Sequence, residues 1–239
     1  MRVRQIPGVP YRHLDEANII QTLERLKLRI SERFPGSGLS KVAEELLVIG
    51  REVSDTARYL SRPNYAIRIP VGIAIALMVG LAATLVATVR WPTELSGIGE
   101  VAQLMDSGIN DIVFLGIAIF FLLTVEVRLK RRRALKTIHQ LRSLAHVVDM
   151  HQLTKDPDRV SSAAADTASS PVRTLSPAEL GRYLDYCSEL LSVDSKLAAL
   201  LVQDFTDEVV LGAVNEIESL TTGLSGKIWQ KIRLIGPAS

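Results

Sequence analysis

The sequence predicts an all-α fold: a two-span transmembrane helical hairpin, with a cytoplasmic N-terminal helical hairpin before it and a C-terminal helical bundle after it. Three observations predict this. Two uncharged apolar runs lie in the middle of a chain that is otherwise rich in charge, at 23% Asp, Glu, Lys and Arg overall. Basic residues crowd the outer flanks of those runs, while the loop between them carries acidic charges after Arg90. Elsewhere large apolar residues recur every three or four positions and never alternate strictly with period two, the pattern of helices and not of strands.

Asp15 stands where it can cap a first helix, in which Ile19, Leu23, Leu26, Ile30 and Phe34 share one face. Pro35, Gly36 and Gly38 end it, since none of them continues a helix comfortably. Ser40 is expected to cap a second helix with Val42, Leu46, Ile49, Val53, Ala57 and Leu60 along its apolar face. "SRPN" at 61–64 stops that helix just short of the first apolar run.

Ile69 to Val89 carries no charge over 21 residues, about 31 Å of α-helix, enough to cross a hydrocarbon core. Ile112 to Val125 is a second uncharged run, of 14 residues, which Val127 and Leu129 extend beyond Glu126 to a length fit for a thinned bilayer. Arg58, Arg62 and Arg68 precede the first run, and Arg128, Lys130, Arg131, Arg132, Arg133 and Lys136 follow the second. Between them come Glu94, Glu100, Asp106 and Asp111. The positive-inside rule then places both termini in the cytoplasm of a bacterial-type inner membrane. No signal peptide is expected. Trp91 is a candidate interfacial anchor, and Leu95, Ile98, Ala102, Met105 and Ile109 suggest an amphipathic segment lying on the bilayer surface.

From Ile112 a helix can run unbroken to about Thr154, where "TKDPD" stops it. "VSSAAADTASSPV" reads as a flexible linker without large side chains. Ser176, Pro177 and Glu179 then have the spacing of a capping box, opening a helix with Leu180, Leu184, Cys187, Leu191 and Ala198 on one face. Thr206 is expected to cap another, with Val210, Val214, Ile217 and Leu220, and a short basic apolar helix closes the chain. The expected domains are 1–65, the transmembrane hairpin 66–129 with an extracytoplasmic loop at 90–111, a helical extension 130–156, a linker 157–175 and a C-terminal helical domain 176–239.

Several stretches bear on function. Three of the four histidines, His139, His146 and His151, fall within thirteen residues. His139 and His146 share the polar side of a helix with Arg142 and Asp149, opposite Leu141, Leu144, Ala145 and Val148. Seven residues put about 10.5 Å between the two histidines, too far for one ion held by a single helix. His146 with Asp149 or Met150 has usable spacing but makes only a fragment of a metal site, which needs symmetry across an oligomer to bring further ligands such as His139 together. A pH response of the same histidines is the other expectation. "HQLRS" at 139–143 resembles the phosphoacceptor box of sensor histidine kinases, but Gln140 replaces the acidic neighbour and no proline follows Ser143. No glycine-rich nucleotide segment accompanies it.

Gly72, Ala76, Gly80, Thr84 and Thr88 stand four apart along the first span, a ridge over which another helix can pack closely. Arg68 and Glu126 reach similar depth in an antiparallel hairpin and are expected to pair. The basic residues Arg128, Lys130, Arg131, Arg132, Arg133 and Lys136 are expected to face lipid, worth about 1 kcal/mol each at an anionic surface. Neither uncharged run, 69–89 or 112–125, carries an ionisable residue, which tells against ion-coupled transport. A net charge of +2 marks no nucleic-acid binder, and a single cysteine, Cys187, rules out an intrachain disulfide.

The expected function is a non-enzymatic structural or signalling adaptor, without cofactor, that oligomerises in the bilayer and presents cytoplasmic helices to a protein partner. Two alternatives stand beside it. One is a small oligomeric pore or effector, whose arrangement is similar to two-span effector domains of bacterial defence systems. The other is a metal or pH sensor built on the histidines.

Overall fold

The computed structural model describes residues 13–88, 98–153, 155 and 175–235, except for the side chains of 98–105 and 107. Among them all regular structure is helical: α1 (Glu16–Arg33), α2 (Gly38–Ser61), α3 (Tyr65–Thr88), α4 (Ile98–Leu153), α5 (Pro177–Leu200) and α6 (Glu208–Ile235). Trp91 and nearly all of the expected linker 157–175 lie outside the described residues.

The chain divides into two compact units, a bundle (residues 1–61 and 131–239) and a hairpin (62–130). The bundle corrects the expected division into separate N-terminal hairpin, extension and C-terminal domain. α1, α2, the second half of α4, α5 and α6 share one hydrophobic core. The reason is arithmetic of apolar faces: each of these helices has a single buried stripe, which only mutual packing removes from water.

Polar ties give the bundle's topology. Arg58 and Arg51 of α2 pair with Glu16 and Glu24 of α1, so the two helices run antiparallel. Gln140 bonds Glu52, Thr137 approaches Thr56 and Arg133 lies over the Tyr59 ring, so α4 runs antiparallel to α2. Arg131, Arg142 and Lys231 tie α4 to α6 at Asp207, Glu216 and the Gln152 carbonyl, in rising order on both, so these helices run parallel. Phe34 packs edge-on against Tyr183, and Arg29 meets Glu189 at 2.6 Å, which sets α5 antiparallel to α1. The result is an up-and-down five-helix bundle.

The caps explain where helices begin. Asp15 accepts hydrogen bonds from the amides of Ala17 and Asn18, as its position predicts. Ser176 and Glu179 form the reciprocal capping box. Two caps differ from expectation. Ser37, not Ser40, caps α2: its hydroxyl accepts from the Ser40 amide, which makes Ser40 the third helical residue. Asp207, not Thr206, caps α6, accepting from the Val210 amide at 3.2 Å. A carboxylate answers both the orphan amide and Arg131, which a threonine cannot.

Two further expectations change. The segment around Ile98–Ile109 is no separate surface helix in a loop at 90–111; α4 already begins at Ile98 and continues unbroken for 56 residues. Isolated glycines such as Gly99 and Gly108 cost a helix only about 1 kcal/mol each, and no proline intervenes. Likewise α6 runs through Gly223 and Gly226 to Ile235, so the closing basic segment is its last turns and not a helix of its own.

In the hairpin, α3 and the first half of α4 are antiparallel, with Arg62 and Lys130, and Arg68 and Glu126, at one end. Val71, Ala74, Ile75, Met78 and Ala82 of α3 are half-buried, as are Leu115, Ala118, Ile119, Leu122 and Val125 of α4. These positions recur every three or four residues and form the seam. Most other apolar side chains described on the hairpin are exposed, including Leu77, Phe114 and Phe120.

Candidate functional site

The most organised polar cluster is at the end of the hairpin where α2 gives way to α3. Pro63 prevents a continuous helix there, and Asn64 starts α3 by accepting the Ile67 and Arg68 amides on its carbonyl. One turn on, Arg68 aims at α4. Its Nε donates to Glu126 Oε2 at 2.5 Å, while the Asn64 amide donates to Oε1 at 3.0 Å. Lys130, four residues along the same helix face, pairs with Oε1 at 3.0 Å and donates to the Arg62 carbonyl at 2.7 Å. Glu126 and Lys130 are both buried, at 9% and 7% exposure, whereas the Arg68 side chain is 59% exposed. A buried carboxylate is tolerable only when its oxygens are occupied; here both are. The arrangement latches the α2–α3 link to α4.

Arg68 and Glu126 are thus brought together. Sequence reasoning missed the rest of the latch. Lys130 was legible from its i+4 spacing to Glu126. The Asn64 amide and Arg62 carbonyl were not, because backbone groups carry no residue-type signature.

The basic run does not act as one surface, which corrects its reading as uniformly lipid-facing. Lys130 is buried in the latch. Arg131 grips Asp207 with both Nε and Nη2, at 2.9–3.1 Å. Burial works to raise the Asp207 pKa, yet Arg131 and the Val210 amide outweigh it and hold the carboxyl below its usual range. Arg133 stacks over Tyr59 at 4.6 Å, within the bundle. Arg128 lies over the Phe121 ring at 4.5 Å, within the hairpin. Arg132 and Lys136 are exposed.

The small-residue ridge of α3 stays at the surface. Gly72, Ala76, Gly80, Thr84 and Thr88 all lie off the seam, and a β-carbon added at Gly72 or Gly80 would meet nothing within 4 Å. The second span of the same chain is therefore not what these residues receive. Thr84 and Thr88 donate their hydroxyls to the Leu81 and Leu85 carbonyls of their own helix.

The histidine stretch spreads out. His139 and His146 are exposed on α4, and Asp149 accepts a hydrogen bond from Gln152 at 2.6 Å. Leu141, Leu144, Ala145 and Val148 are buried on the opposite face. His151 is half-buried with its ring against Gly38 of α2. Among the described residues no group of three or more His, Cys, Asp or Glu side chains could hold a metal ion.

One buried group escaped the sequence reading. Asp194 of α5 is 2% exposed and neither carboxylate oxygen has a hydrogen-bond partner; burial drives its pKa well above the ordinary value. Cys187, also buried, has its thiol pushed up to about 12, so it is not a nucleophile at neutral pH. Compared with protein-family models, curated proteins and solved structures, the chain matches none.

Proposed function

We propose that this chain is a two-span inner-membrane adaptor, with both termini in the cytoplasm, which associates with its own copies in the bilayer and offers its helical bundle to a protein partner. One observation carries the membrane reading. The most apolar windows of the two long helices are 0% and 6% buried inside the protein, whereas the core helix of a soluble protein would be mostly covered. An exposed apolar surface of that extent needs lipid or protein against it.

The orientation rests on charge: cations flank the Glu126 end of the hairpin, and Asp106 and Asp111 mark the other. Self-association rests on the outward ridge of Gly72, Ala76, Gly80, Thr84 and Thr88, since close backbone approach is what drives helices together in lipid. The adaptor role rests on the bundle, a compact unit with its own hydrophobic core.

The test is fractionation with alkaline carbonate, followed by mass measurement in native membrane discs. The expected result is a chain that stays with the membrane pellet as an oligomer, and that Gly80→Leu shifts toward monomer. Recovery of the wild type as a water-soluble monomer defeats the proposal.

A further inference from the structure

We infer that the Glu126 end of the hairpin selects anionic phospholipids, with Arg62, Arg68 and Arg128 meeting the headgroups; this rests on the membrane reading above. Within the hairpin unit that end carries Arg62, Arg68, Arg128 and Lys130 against one acid, Glu126, an excess of three positive charges (four minus one). Lys130 is spent inside the latch beside Glu126, where solvent and lipid do not reach it. Arg62, Arg68 and Arg128 are exposed.

The placement of Arg128 points to lipid and not merely to any anion. Its guanidinium turns back two helical turns to lie over Phe121, a ring 53% exposed and next to Phe120, 64% exposed. The charge is therefore held at the rim of an apolar surface and not extended into water. A cation so placed needs a counter-charge that itself carries an apolar tail. A phospholipid supplies both: its phosphate fits the planar fork of a guanidinium, and its acyl chains cover Phe120 and Phe121. Arg68 adds a second positive point on the other helix, its Nε fixed by Glu126 so that the side chain is pre-positioned.

The experiment is binding of short-chain phosphatidylglycerol, phosphatidylcholine and inorganic phosphate to the full chain in neutral detergent, read by native mass spectrometry. Phosphatidylglycerol is expected to bind more tightly than phosphatidylcholine, with inorganic phosphate a poor competitor. Removing Arg62 or Arg128 should each cost about fivefold of that preference, the effect of one basic residue at an anionic surface. An R62Q/R128Q variant should lose most of it, and R132Q/K136Q should keep it. Should R62Q/R128Q melt early, R128K keeps the charge while losing the fork and the ring stacking, and is expected to weaken the preference on a folded chain. Equal binding of the two lipids, full competition by inorganic phosphate, or an unchanged preference in both R62Q/R128Q and R128K overturns the inference. Equal binding would leave the membrane reading standing; a chain that binds neither lipid and stays in water would remove both.

Discussion

Leu81 and Leu191 sit in equally regular helices, yet one is 63% exposed and the other fully buried. The difference lies in their neighbours along the chain. Around Leu191 one side of α5 is buried against its neighbours and the other carries exposed polar residues such as Ser192 and Lys196, so the helix has a side to hide from water and a side to show it. Around Leu81 every direction is apolar, so packing against one partner helix leaves most of α3 outward. Identical side chains thus do opposite work: in the bundle they stabilise the fold by burial, and in the hairpin they suit the medium around it.

The charged pairs repeat the contrast and allow its strongest test. Glu126 is buried with Lys130, whereas Glu216 pairs with Arg142 across an exposed surface, with side-chain exposures of 65% and 50%. Glu126→Leu leaves the Lys130 ammonium buried without its acid and should destabilise the detergent-solubilised chain by about 3–5 kcal/mol. Glu216→Ala should cost less than about 1 kcal/mol. Equal effects in denaturation curves would erase the distinction.

Next in size are the leucines. Leu191→Ala should cost about 2–5 kcal/mol through a cavity that the bundle cannot close. Leu81→Ala should change stability by no more than about 0.5 kcal/mol, because little packing is lost. A comparable loss at Leu81 would mean that the hairpin surface is covered within the isolated chain.

The smallest expected effect concerns two aspartates of the bundle. Burial disfavours the charged form of Asp194 and its carboxyl has no hydrogen-bond partner, so Asp194→Leu should raise stability by about 1–3 kcal/mol near neutral pH. Its folded pKa lies above the ordinary 3.8. The stability it permits is therefore full below that value and is lost as pH rises, and the advantage of the leucine variant should widen over the same range. Asp207 has the opposite sign: its contribution is present above the ordinary carboxylate range and disappears as pH falls through its lowered folded value. Melting temperatures of wild type and Asp194→Leu from pH 4 to pH 8 check this, and curves that stay parallel contradict it.

How much of this was legible beforehand follows the same division. Periodicity revealed the buried stripes of α1, α2 and α5, because a helix with one apolar face announces which face it is. It also revealed the depth match of Arg68 and Glu126. It did not reveal that the N- and C-terminal helices share a core, since a stripe records that something is covered and not by what. Caps were legible where one candidate stood alone, as at Asp15, and misread where two competed: Thr206 beside Asp207, Ser40 beside Ser37. The basic run was misread for a related reason. Composition treats six cations alike, whereas tertiary partners divide them among an acid, a ring and the surface.

Gly38 shows a dependence of another kind. It opens α2 without needing a left-handed backbone, and any β-carbon there would strike the His151 ring near the far end of α4. Its smallness answers a side chain more than a hundred positions away. The two sites are therefore free to vary only together: in descendants of this sequence, a larger residue at 38 should travel with a smaller one at 151, and a change at either alone should be rare.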